Sequence, residues 1–225
     1  MNDKTRKTPE GAAQPVTIRR MIAGLWHFVT RPTALVAVWL LVGGGMVAGV
    51  AGWGAFNWSM EMTNDETFCI SCHEMERNVY REYLGSVHDS NPSGVRATCP
   101  DCHVPRTWIH KVARKIQATG ELYHWALGTI DTREKYEERR LYLAKRVWTV
   151  MKTTDSRECR NCHAFQAMDV SRQEPRARDQ HLAAIDSGAT CIDCHKGIAH
   201  ELPAGALEAE LLLNETWKAA KPPVQ

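Results

Sequence analysis

All eight cysteines of this chain fall into one pattern, repeated four times: a Cys-x-x-Cys pair with histidine immediately after it. The copies are CISCH (Cys69, Cys72, His73), CPDCH (Cys99, Cys102, His103), CRNCH (Cys159, Cys162, His163) and CIDCH (Cys191, Cys194, His195). Two thiols about one helical turn apart can add across the two vinyl groups of a porphyrin, and the next imidazole then sits where it can ligate the iron. Zinc ribbons also use such pairs, but no zinc requirement explains a histidine after every one. Structural disulfides leave the same histidines unexplained. The expected cofactors are therefore four covalently bound haem c groups. The expected fold is mainly α with extensive irregular loops.

The spacing contains a repeat. Cys69 to Cys99 is 30 residues and Cys159 to Cys191 is 32, which predicts two di-haem modules joined by a longer connection. His88 lies 11 residues before Cys99 and His181 lies 10 before Cys191, matching positions that suit distal axial ligands. His200 follows His195 by five residues and suits a distal ligand to a neighbouring haem, which the spacing does not identify. His27, His110 and His124 have no counterpart in the repeat. Three distal histidines for four irons leave one haem different. The first motif continues CISCHEM, so Met75 has two roles open to it: ligand to that iron in competition with His73, or a soft side chain packed on the porphyrin.

From Pro32 to Met60 the chain carries no charged side chain, longer than the roughly 20 residues that cross a bilayer as a helix. About thirty residues precede it and its length exceeds a signal-peptide core, so an uncleaved anchor is expected. Arg19, Arg20 and Arg31 before the span predict a cytoplasmic N-terminus and a periplasmic domain beyond about Asn57. Gly45 and Gly49 form a GxxxG pair compatible with a homo-oligomer. The layout is then a cytoplasmic segment at 1–31, a transmembrane anchor at 32–58, a periplasmic tetrahaem domain at 59–203 and a C-terminal helix or tail at 204–225. Within that domain the modules cover about 62–128 and 153–203, with a linking helix at about 131–152. A formal net charge of +2 gives no nucleic-acid signature.

Along TWIHKVARKIQ, His110, Lys111, Arg114 and Lys115 recur at helical spacing, which predicts a basic amphipathic helix lying on anionic headgroups. In the linking segment, Asp131 and Glu134 read as a capping start, and Tyr136, Leu143, Val147 and Met151 can share one face.

The stretches FCISCHEM, SGVRATCPDCHVP, GTIDTREKYE, DSRECRNCH and TCIDCHKGIAHELP, with the anchor, resemble the NapC/NirT-type membrane-anchored tetrahaem cytochromes across nearly all of residues 34–203. The resemblance implies a quinol dehydrogenase that oxidises menaquinol or ubiquinol beside the first haem. The electrons would go to a periplasmic reductase, nitrate reductase first among the candidates. In relatives the first haem lacks a normal sixth ligand, and in some a methionine replaces histidine on its iron; Met75 holds that place. The family's quinol site uses a lysine and a carboxylate after the second motif, which here are Lys115 and Glu121, although the usual acid in relatives is aspartate. Asp101, within CPDCH, is the rival carboxylate. Two other functions stay open at this point: an anchor subunit that relays electrons without oxidising quinol itself, and a terminal N-oxide or nitrite reductase at an open haem.

Overall fold

A computed structural model of the chain describes residues 18–30, 37–209 and 211. They fall into two units, divided between Trp58 and Ser59.

The first unit holds α1 (Ile18–Thr30) and most of α2 (Val38–Met62). At 1.5 Å per residue, a helix of 25 residues is about 37 Å long, enough to cross the hydrocarbon core. Among the described residues α2 is the one helix long and apolar enough to do so. Its last turn, ending at Met62, runs beyond the boundary expected at residue 58. Helix α1 was not foreseen in the sequence, yet Ile18, Met21, Ile22, Leu25 and Trp26 share one of its faces and are all exposed.

The second unit contains no β-strand among its described residues. It begins with α3 (Glu66–Cys69), α4 (His73–Met75), a π-helical stretch Glu76–Tyr80 and α5 (Arg81–Tyr83). Next come α6 (Cys99–His103), α7 (Trp108–Ala126) and α8 (Arg133–Thr153), then α9 (Arg157–Arg160), α10 (Pro175–Ser187) and α11 (Cys191–Cys194). Loops and short 3-10 turns join them.

Helix α8 starts one residue later than the Asp131 capping pattern suggests. The Thr132 hydroxyl accepts from the Lys135 amide, while the Asp131 carboxylate lies 2.7 Å from the Lys135 ammonium. The buried face matches the expected one in part: Tyr136 is buried and Met151 packs at the edge of the core, but Arg140 and Trp148 are buried as well, whereas Leu143 and Val147 are only half-buried. A buried arginine is invisible to a search for apolar periodicity. Trp148 packs with Ile192, Ala206 and Ala209, flanked by Leu141, Ala144 and Met151, so Ala206 and Ala209 belong to the core of this unit. The rest of the expected C-terminal helix lies outside the described residues except Leu211.

Two mostly buried ion pairs tie distant segments together: Arg140 with Glu82, and Lys152 with Asp193. Ser156, wholly buried with a left-handed φ of 49°, accepts from the Ile192 amide at 3.1 Å and joins the third motif to the fourth.

Candidate functional site

The second motif of each module is built the same way. Thr98 caps α6 and Asp101 reaches back to the Thr98 amide at 2.9 Å and its hydroxyl at 2.8 Å. Thr190 and Asp193 repeat the arrangement at 2.8 and 3.0 Å. This reciprocal capping lets so short a helix hold its two cysteines one turn apart. The first motif is made differently: Cys69 ends α3, and His73 opens α4 after a break at Cys72.

None of the eight cysteines is in a disulfide. The motifs are neighbours in chain order. The Cys99 thiol hydrogen-bonds the Cys69 sulfur and holds that thiol down at about 7, with the Lys115 charge adding to the effect against burial. Cys102 is pushed up to about 11, chiefly by burial and further by Cys159 and Cys162 beside it. Cys191 in turn acts on Cys159.

The histidines outside the motifs meet those inside them. His103 faces His200 with ring centroids 6.3 Å apart and planes at 28°. His195 faces His181 at 5.9 Å and 28°, and His163 faces His88 at 6.3 Å and 82°. With metal–nitrogen bonds of about 2 Å, two imidazoles on opposite sides of one metal have centroids roughly 6 Å apart. All three pairs therefore fit bis-histidine ligation of a haem iron. Burial holds the His103 imidazolium down at about 4, with His200 and Arg114 adding to it, and burial also lowers His200 and His195. Neutral rings keep a lone pair for a metal. His200 has its Nδ1 3.1 Å from the Val79 carbonyl, an acceptor that fixes the proton there and leaves Nε2 for a ligand role.

His73 has no histidine opposite it among these pairs. Its Nδ1 lies 3.3 Å from the buried Glu74 carboxylate and its Nε2 lies 3.3 Å from the Asp131 carbonyl. Met75 is half-buried in α4. His110 contacts Thr107 and His124 contacts Thr129, both local partners.

Two basic residues of α7, Lys111 and Lys115, turn inward instead of lying free on headgroups, while His110 stays exposed. Lys111 pairs with Glu61 at 2.7 Å, and Lys115 donates to the Thr63 carbonyl and, at 3.1 Å, to its hydroxyl. Both partners sit where α2 ends. Burial, its largest influence, lowers the Lys115 ammonium, with Arg114 and Lys111 adding to this while Cys69 opposes it. An apolar stripe runs along the exposed side of α7, with Ile109 and Ile116 72% and 66% exposed and Tyr123 exposed in line with them.

The two candidate carboxylates part company. Glu121 pairs with Arg114 at 2.8 Å and is largely exposed. Six positions along a helix amount to 240°, so its side chain does not share the Lys115 face. Asp101 lines an open cleft of about 250 Å³ with Asn64, Thr98, Pro100, Val104, Pro105, Arg106 and Lys111. Pro100, Asp101 and Val104 are on the side of α6 away from Cys99, Cys102 and His103. Asn64 Oδ1 is buried there without a hydrogen-bond donor. Burial raises the Asp101 carboxyl, but hydrogen bonds from Thr98 and the nearby Arg106 outweigh it and hold the group below the usual range. Asp193, its counterpart in the second module, is sealed by Lys152 instead of facing a cleft. Asn64 and Arg106 carry no signal in the sequence beyond a polar residue soon after the anchor, and Lys111 is singled out there only as part of a basic helix face.

The NapC/NirT cytochrome c family, N-terminal region, matches residues 31–205. The denitrification system component NirT of Stutzerimonas stutzeri is 52% identical over 187 residues, 83% of this chain and 93% of its own. The cytochrome c-type protein NapC of Paracoccus pantotrophus is 53% identical over 183 residues, 81% of this chain and 77% of its own. Its namesake in Escherichia coli K12 is 51% identical over 183 residues, 81% of this chain and 91% of its own. No solved structure matches the chain.

Proposed function

The chain belongs to the NapC/NirT cytochrome c family, a membrane-anchored electron-transfer protein of anaerobic respiration carrying covalent haem c, and from that premise we propose that it is a quinol dehydrogenase. It oxidises menaquinol or ubiquinol at the membrane and delivers the electrons to a periplasmic reductase, with nitrate reductase first among the candidates by the resemblance of its motifs to the family. Arg19 and Arg20 before the anchor support a cytoplasmic N-terminus and a periplasmic second unit.

Four haem c groups, one on each Cys-x-x-Cys-His motif, supply one-electron carriers when bound, and their attachment sites follow one another in chain order. The ligand pairs are His103 with His200, His163 with His88, and His195 with His181. Met75 is taken as the ligand to the first iron because it holds the position of the methionine ligand in relatives, while His73 has no second histidine opposite it. Filled axial positions on three irons disfavour substrate reduction there and suit a relay.

The observation that carries this reading is the cleft beside the end of α2, where a carboxylate, an ammonium and an unpartnered acceptor meet. A quinol gives up two protons with its two electrons. Asp101 lines the cleft and is placed to receive one of them, while water entering the open cleft takes the other. The Asn64 carbonyl accepts from the substrate hydroxyl, recovering about 1–3 kcal/mol otherwise lost by a buried acceptor without a donor. The ammonium of the cleft is Lys111, and Lys115, one helical turn further along α7 and beside Cys69, is the second cation available to stabilise negative charge developing on the quinol oxygen.

The test is reduction of the purified, detergent-solubilised holoprotein by a quinol analogue. Asp101→Asn should slow it about 100-fold and Lys115→Ala at least tenfold, while Glu121→Ala should change it less than twofold. Wild-type rates in both Asp101→Asn and Lys115→Ala would leave the protein a relay fed by another subunit.

A further inference from the structure

The two residues that hold His200 in place come from neither of the segments carrying the second motif and its partner. His200 follows the last motif, and His103 belongs to the first module. The peptide next to His200 is fixed by a buried ion pair. Arg140 Nη2 in α8 donates to the Glu82 carboxylate in α5 at 2.7 Å and to the Glu201 carbonyl at 2.6 Å. The Glu201 amide donates to the same Glu82 oxygen at 3.0 Å. One guanidinium nitrogen and one carboxylate oxygen thus bind both ends of residue 201, directly after His200. The Arg140 and Glu82 side chains are each only 8% exposed. Tyr136 lies under the guanidinium, 5.6 Å from its ring centroid, and Glu137 approaches at 3.3 Å from the other side.

Stability alone is a weak reason for such a pair, because desolvating two charges offsets much of their attraction. Its geometry serves a different end: a fork that can satisfy a carbonyl and a carboxylate together fixes a loop in one register. The loop it fixes is the one that brings His200 to 6.3 Å from His103, with the two rings near parallel.

We infer that Arg140 and Glu82 are positioning residues that clamp the peptide after His200, so that a ligand from the C-terminal module closes the coordination of the haem on the second motif. The inference rests on the reading that His200 faces that iron, and the experiment separates the two.

Full-length holoprotein in detergent is compared by electron paramagnetic resonance, with haem content measured in parallel. His200→Ala should remove one of three low-spin species and replace it with a high-spin one, at unchanged haem content. Arg140→Met should reduce that same species at least twofold and leave the other two intact, and Arg140→Lys should recover part of it. Added imidazole should restore the low-spin signal in both His200→Ala and Arg140→Met. Glu82→Gln, which keeps the shape and removes the charge, should weaken the same species if Arg140→Met does not accumulate. No change in His200→Ala would overturn the ligand assignment itself. Loss in His200→Ala with an unaltered spectrum in Arg140→Met, or in Glu82→Gln where that is the variant in hand, would overturn the clamp. Equal loss of all three species in the Arg140 and Glu82 variants would also overturn it, since that marks general unfolding.

Discussion

The planes of the paired imidazoles fix a spectroscopic expectation residue by residue. Near-parallel rings, at 28° for His103 with His200 and for His195 with His181, should, with a haem iron between them, split two iron d orbitals and give ordinary rhombic low-spin signals. The 82° of His88 with His163 leaves those orbitals nearly degenerate, so this haem should give the one highly anisotropic low-spin signal, absent in His88→Ala. A second expectation concerns Tyr136. Burial pushes its phenol up to about 12, with nearby Glu82 and Glu137 adding to the effect and Arg140 opposing it. A raised folded value favours the protonated form. The stability it contributes is complete below the ordinary value near 10 and is lost as pH rises through about 12. Thermal melts across that window should show wild type falling more steeply than Tyr136→Phe. Cysteines and motif histidines were legible in the sequence because their chemistry is local. The pairing of the distal histidines was not, since His88 meets His163 and His103 meets His200 across long stretches of chain, and only folding decides between such partners. Arg140 was missed because its partner Glu82 is 58 residues away.

At the scale of elements, α7 and α8 were readable from their periodicity and α2 from its lack of charge. The orientation of α7 was not, because Lys111 and Lys115 find Glu61 and Thr63 where α2 ends. The stripe of Ile109, Ile116 and Tyr123, seven residues apart, remains exposed and suits an acyl–headgroup boundary. In nanodiscs, Ile116→Glu should raise hydrogen exchange across α7 severalfold while leaving α8 unchanged. Helix α7 ends in a left-handed Gly128 with φ of 61°, where an added Cβ would stand 2.8 Å from Asp131 Oδ2. Gly128→Ala should cost about 1–2 kcal/mol, seen as a lower melting temperature. It should also disturb the first haem most, because the Asp131 carbonyl lies against His73. Helix α1 escaped notice because its apolar face is broken in sequence by Arg19, Arg20 and Gly24.

For the whole molecule, the order of the motifs along the chain is also their order in space, from Cys69 beside Cys99 to Cys159 beside Cys191. Denatured protein should keep its haem colour on a gel, with four irons per chain by elemental analysis. One coordination sphere breaks this sequential order. The second haem's motif is complete at His103, but the imidazole facing it is His200, contributed 97 residues later. With His200 as its second ligand, that iron would stay open on one side until residue 200 has folded back onto it. With His200 as that ligand, a polypeptide cut short near its C-terminus should betray itself by a second open iron, on the second motif, beside the one on the first.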